Sequence, residues 1–173
     1  MPSDTKARIQ AVARELFAEQ GVQNTSLRQI SERLGITKPA LYYHFSSRED
    51  LVRSILQPMM EDVERFVATR EPGDPHELLD DYFDLLWRHR EVIVMVLREL
   101  SVLAYVDLGE RMLDWRRRLI TLLLGEDLTP AHHIRATLAL GGLSDCAVEY
   151  AHLRLDEVKP VAVTAAVAVL QLD

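Results

Sequence analysis

With 48% hydrophobic and 27% charged side chains over 173 residues, the chain has the balance of a folded protein rather than a disordered one. A single cysteine, Cys146, excludes an intrachain disulfide framework, and no apolar run reaches the roughly 18 residues of a membrane-spanning helix. The net charge of −7 is unevenly placed: residues 1–54 carry 8 basic and 6 acidic side chains, the remainder 12 and 21. A mildly basic head on an acidic body suits a protein that meets nucleic acid with one end.

Met1-Pro2-Ser3-Asp4-Thr5-Lys6 contains nothing resembling the apolar stretch of a signal peptide, so the expected compartment is the cytoplasm. Ile9, Val12, Ala13, Leu16 and Phe17 then recur with helical spacing, and Gly21 is a plausible C-terminal cap. A second helix is announced by Thr25-Ser26, with Ser26 and Gln29 at capping-box spacing. Its apolar face is Leu27, Ile30 and Leu34, and it stops at Gly35. A third starts at Thr37, tolerates Pro39 in its first turn, and runs to about Phe45.

Two short helices joined by a tight turn describe a helix-turn-helix, with the small Ser31 under the crossing helix and Gly35 in the turn. Ile36, Leu41 and Phe45 point inward. That leaves Thr37, Lys38, Pro39, Ala40, Tyr42, Tyr43 and His44 to face something else, and their chemistry suits a DNA groove. Lys38 can meet a guanine edge or a phosphate, Pro39 or Ala40 a thymine methyl, and the phenols a phosphate. Tyr42 and Tyr43 stand about 100° apart on a helix, so both cannot share the Leu41/Phe45 face.

Residues 25–45, from Thr25-Ser26-Leu27-Arg28-Gln29-Ile30 to Leu41-Tyr42-Tyr43-His44-Phe45, resemble the signature of the TetR family of transcriptional regulators, as does the following Ser47-Arg48-Glu49-Asp50-Leu51. The match covers about residues 6–53, with Ser31 in place of a more usual alanine. The resemblance implies that the third helix reads the major groove of double-stranded DNA. Thr25, beside Ser26, would then hold a phosphate and Arg28 a base or phosphate. Thr37, Lys38, Ala40 and Tyr42 would read bases, and Tyr43, His44 and Arg48 would clamp the backbone. His44 is equally well read as a cap or a packed residue.

Ser46 and Ser47 can cap a fourth helix that continues to about Thr69 with Pro58 inside it. A turn-rich connector, Arg70–Pro75, leads to a helix with Asp74 and Glu77 as its N-terminal pair and Pro75 in first position. Further helices are expected over Val92–Ala104, Leu108–Leu124, from Pro130 to about Leu153, and from Pro160 to about Leu172. The class is therefore all-α, about nine helices, with a helix-turn-helix domain over residues 1–46 and a helical regulatory and dimerisation domain over 47–173. Pro160–Leu172 carries no charge, and the preceding helix is rich in small residues (Ala136, Ala139, Gly141, Gly142, Ser144, Ala147) that admit a close neighbour. In the family resembled, these two helices make a four-helix bundle between protomers. A homodimer through roughly 130–153 and 160–172 would read a palindromic operator.

A sensor pocket for an unknown small-molecule effector is expected in the body. Its candidates are Met59, Phe66, Tyr82, Phe83, Trp87, Met95, Tyr105, Met112, Trp115, Cys146 and Tyr150, each of which is also readable as core. The adjacent His132 and His133 cannot easily share a metal, and Gly142-Leu143-Ser144-Asp145-Cys146 lacks the glycine of a nucleophile elbow. Neither a metal, a cofactor nor an enzyme is expected. A redox role for Cys146 is a minor alternative. Three further readings stay open: an activator, a regulator controlled by a protein partner, and an all-helical enzyme or binding protein whose head ignores DNA.

Overall fold

The computed structural model describes residues 2–100, 102 and 107–171, and among these the regular structure is helical throughout. The helices are α1 Pro2–Gln20, α2 Leu27–Leu34, α3 Lys38–His44, α4 Arg48–Thr69, α5 Pro75–Arg88, α6 Arg90–Arg98, α7 Leu108–Leu124, α8 Pro130–Glu149 and α9 Leu155–Leu170. The all-α class follows the sequence expectation. The chain divides into two compact units, Met1–Pro58 with Met95–Gly109, and Met59–Val94 with Glu110–Asp173.

In the first unit, Ile9, Ala13, Leu16 and Phe17 of α1 are buried together with Ile30 of α2 and Leu41 of α3. Ser26 caps α2: its hydroxyl accepts from the Gln29 N–H, and the Gln29 side chain accepts from the Ser26 N–H at 2.7 Å. Gly35 ends α2 with φ +70°, a left-handed conformation that lets its N–H return to Glu32. Leu51, Val52, Ile55 and Leu56 of α4 are buried in the same unit. Its apolar cohesion therefore extends past residue 46, where the sequence suggested a boundary, to Pro58.

In the second unit α5, α8 and α9 pack on one another, burying Leu78, Leu79 and Phe83 of α5, Ala139, Leu140 and Leu143 of α8, and Val163 and Ala166 of α9. The Trp115 indole N–H on α7 donates to Glu64 on α4 at 2.6 Å. Thr129 caps α8, with the His132 ring nitrogen accepting from the Thr129 N–H at 3.3 Å, which gives that histidine a capping role.

Three expected limits differ. Helix α6 begins at Arg90 and stops at Arg98, where Glu99 and Val102 close tighter three-residue turns; residues 101, 103 and 104 of the helix expected to reach Ala104 lie outside the described residues. Helix α8 ends at Glu149 rather than near Leu153. Helix α9 opens at Leu155, so Pro160 lies inside it rather than at its start. There the Arg154 N–H donates to Glu157 at 3.0 Å, and Asp156 and Glu157 stand at the positive end of the helix.

Candidate nucleic-acid interface

Helix α3 is short because Thr37 starts it and Phe45 stops it. The Thr37 hydroxyl accepts from the Ala40 N–H, and Phe45 turns the backbone to an extended conformation. Leu41 and Phe45 are buried at 0% and 2% exposure, whereas Tyr42 and Tyr43 stand out at 53% and 83%. Thr37, Lys38 and Pro39 are exposed, and Ala40 and His44 are half-buried. The His44 ring meets the Tyr43 ring edge-on, with centroids 5.2 Å apart. One face of α3 thus holds the helix on the core, and the other presents an ammonium, two phenols and a small apolar step.

Helix α2 adds Ser26 and Arg28, both exposed. Arg28 Nε lies 2.7 Å from the Glu32 carboxylate, and that hydrogen bond holds the guanidinium still more firmly protonated. A phosphate contact by Arg28 would compete with this exposed pair.

Two sequence-derived DNA contacts require correction. Thr25 is 1% exposed, and its hydroxyl donates toward the Gly21 and Leu16 carbonyls while accepting from Gln20. A threonine turned inward to stitch α1 to α2 does not offer that hydroxyl to a phosphate. Arg48 is also engaged inward, donating to the Val22 carbonyl at 3.3 Å, the Gln23 carbonyl at 2.8 Å and the Gln23 side chain at 3.1 Å. It ties α4 to the turn after α1 and is not free as a backbone clamp. Nothing in the sequence pattern marks Lys6 as part of this surface. Its exposed ammonium lies 5.6 Å from the Phe45 ring centroid, which sets a second cation beside the end of α3.

The expected effector residues scatter. Met59, Phe66, Tyr82, Phe83, Trp87, Trp115 and Cys146 are buried or half-buried in the second unit. Met112 and Tyr150 are 50% and 45% exposed, because the inward faces of their helices are taken by Trp115 with Leu119 and by Leu143 with Ala147. Met95 is buried but belongs to the first unit, and Tyr105 lies outside the described residues. Burial pushes the Tyr82 phenol above its ordinary value, opposed by a hydrogen bond with Ser144. Burial, then the Asp145 carboxylate, pushes the Cys146 thiol up, contrary to what a reactive thiolate needs. Among the expected residues that are described, only Trp87 lines the open cleft of about 630 Å³ formed with Arg90, Leu153–Asp156, Lys159 and Pro160. The clustered Asp80, Asp81 and Asp84 are matched by cations: Lys159 lies 2.7 Å from Asp80 and 2.8 Å from Asp84, and Arg70 pairs with Asp81. Among the described residues no helix is long and apolar enough to cross a membrane.

Residues 9–55 match the family described as bacterial regulatory proteins, tetR family. The HTH-type transcriptional regulator AcrR of Shigella flexneri is 33% identical over 97 residues, 54% of this chain and 40% of AcrR. The chain therefore spans well under half the length of that curated relative. A transcriptional regulator of the TerR/AcrR family from Aquifex aeolicus VF5 superposes with a TM-score of 0.77 at 27% identity, covering 95% of this chain and 99% of that one. The SmeT–triclosan complex has the same fold, with a TM-score of 0.65 at 22% identity over 95% of this chain and 90% of that one.

Proposed function

This chain belongs to the TetR family of bacterial regulatory proteins, and we propose that it is a homodimeric, cytoplasmic repressor, released from a palindromic DNA operator by a small-molecule ligand. The observation that carries the DNA reading is the division of α3 into a buried Leu41/Phe45 face and an exposed face of Thr37, Lys38, Pro39, Tyr42 and Tyr43. A helix of seven residues with one face anchored can enter a major groove with the other. Lys38 supplies the charge, Ala40 and Pro39 the apolar surface, and Tyr42, Tyr43 and His44 the reach to bases and phosphates.

The homodimer reading rests on α8 and α9. Ile134 and Leu138 are each 61% exposed and Val161 is 70% exposed in the single chain. A Cβ at Gly141 or Gly142 would meet no atom within 4 Å. Among the described residues no steric neighbour demands glycine there, although each costs about 1 kcal/mol in a helix. A second copy approaching closely accounts for both the apolar faces and the glycines.

Release by ligand requires two states bound unequally, and a hundredfold loss of operator affinity corresponds to about 2.7 kcal/mol of difference. The chain leaves its first unit immediately after Pro58, within α4, and we propose the motion there. The binding of triclosan by SmeT supports a small apolar effector for a protein of this fold. The test is selection from random double-stranded DNA with the purified chain. An enriched inverted repeat is the expected outcome; no enrichment across a range of salt would remove the reading.

A further inference from the structure

Residues Met95–Gly109 follow most of α6 in sequence but belong to the compact unit of the head. Apolar burial is part of the reason, through Met95, Val96, Val102 and Leu108. The directional part is Glu99. Its carboxylate accepts from the Val22 N–H at 2.5 Å and from the Gln23 N–H at 3.0 and 3.3 Å. Next to it, Arg98 donates to the Ala18 carbonyl in the last turn of α1 at 3.2 Å.

The same turn is held from a second direction. Arg48, the first residue of α4, donates to the carbonyls of Val22 and Gln23. Two side chains of opposite charge therefore grip one dipeptide, the anion on its N–H groups and the cation on its carbonyls. Charge-assisted bonds to backbone are among the stronger protein hydrogen bonds. This dipeptide lies between Gly21, which ends α1 at φ +86°, and Thr25-Ser26, which opens α2. Its conformation sets how α2, and α3 behind it, leave α1.

We infer that Glu99 is a positioning residue for DNA binding: it fixes the α1–α2 turn from the segment after α6 and so holds α3 at the angle at which its exposed face meets a groove. The inference rests on the DNA-binding reading above.

The experiment compares the full chain with E99A and E99Q, the latter keeping one neutral acceptor should E99A fold poorly. Amide hydrogen exchange is read at Val22 and Gln23, and affinity is measured for the enriched inverted-repeat duplex and for calf-thymus DNA. Exchange at both amides is expected to quicken at least about tenfold in E99A and less in E99Q, with α8 and α9 amides unchanged. The ratio of specific to non-specific affinity is expected to fall about tenfold in E99A and to recover in part in E99Q. A merely stabilising role would lower both affinities alike, so an unchanged ratio overturns the inference, as does unchanged exchange at Val22 and Gln23. Wild-type protein that binds no duplex removes the DNA-binding reading, while the exchange arm still decides whether the carboxylate holds the turn.

Discussion

The Gln10 carboxamide on α1 donates to the Ser54 carbonyl on α4 at 3.2 Å and to the Ser54 hydroxyl at 3.0 Å. Ser54 stands four residues before Pro58, and a proline has no N–H to return to that carbonyl. The side chain of one helix thus supplies the donor that the backbone of another lacks. Pro58 lies inside a continuous α4, and this contact compensates the carbonyl that the proline leaves without a helical donor.

Replacing Gln10 by Ala is expected to cost about 1 kcal/mol, roughly 2–4 °C in Tm for a chain of this size, because the carbonyl is left without its donor. P58A restores the helical N–H, so Q10A in that background should cost much less. Chemical denaturation of the two single variants and the double variant gives the coupling directly, expected at about 0.5–1 kcal/mol. Strict additivity would show that Gln10 serves some other purpose.

A second anchor of α4 is pH-dependent. Asp62 lies 2.9 Å from the His89 Nε2 and 2.8 Å from Arg65, with Arg88 at 3.7 Å. The His89 hydrogen bond, against the opposing effect of burial and with help from Arg65, holds the Asp62 carboxyl below the usual range. A carboxyl with a lower pKa folded than unfolded stabilises the fold above the unfolded value, and loses that contribution as pH falls through the folded value. D62N should therefore be less stable than the parent at pH 7 by roughly 1 kcal/mol. The gap should close as urea titrations are repeated down to about pH 3; a gap of constant size would contradict this origin.

The parts of the molecule that sequence foretold are those governed by short-range signals. The Ser26/Gln29 box, Gly35, Thr37 and Asp74 each mark a helix end through a neighbour two or three residues away, and their helices begin or end there. Helix α9 was misplaced because Pro160 is the louder signal. The start is made by Arg154, whose side chain does not cap; the Asp156/Glu157 pair was the available clue. Thr25 and Arg48 were misassigned for a different reason. A hydroxyl reads identically whether it faces solvent or a carbonyl four residues away, and a guanidinium whether it faces solvent or a carbonyl 26 residues away. Glu99 was invisible for the same reason, its partners lying 76 and 77 residues back. The expected effector residues single out no one site, because aromatic and sulfur side chains mark apolar contact without saying which apolar contact.

On α3, Lys38 and Tyr42 should separate two kinds of recognition. If Lys38 meets a phosphate, K38A lowers the slope of log affinity against log salt by about 0.9 and weakens all sequences alike. If it meets a guanine, the slope changes little and specificity relaxes at one position of each half-site, at about 1–3 kcal/mol. Y42A is expected to cost a similar amount without altering the slope, since a phenol releases no counterion. Titrations at four salt concentrations decide between them, and undiminished affinity in the double variant would mean that α3 is not the reading helix.

Two exposed apolar positions, one on α8 and one on α9, allow the proposed association to be tested without unfolding the chain. Leu138 and Val161 are 61% and 70% exposed in the single chain, so L138E and V161E bury no charge within a protomer and should keep its helicity. Across a subunit interface the same glutamates would face apolar surface and one another. Sedimentation is expected to give a dimer for the parent and a monomer for the double variant. Affinity for an inverted repeat should then fall by two orders of magnitude or more, since the second half-site no longer binds intramolecularly, while binding to an isolated half-site is unchanged. A double variant that remains dimeric would place the subunit contact elsewhere than on α8 and α9.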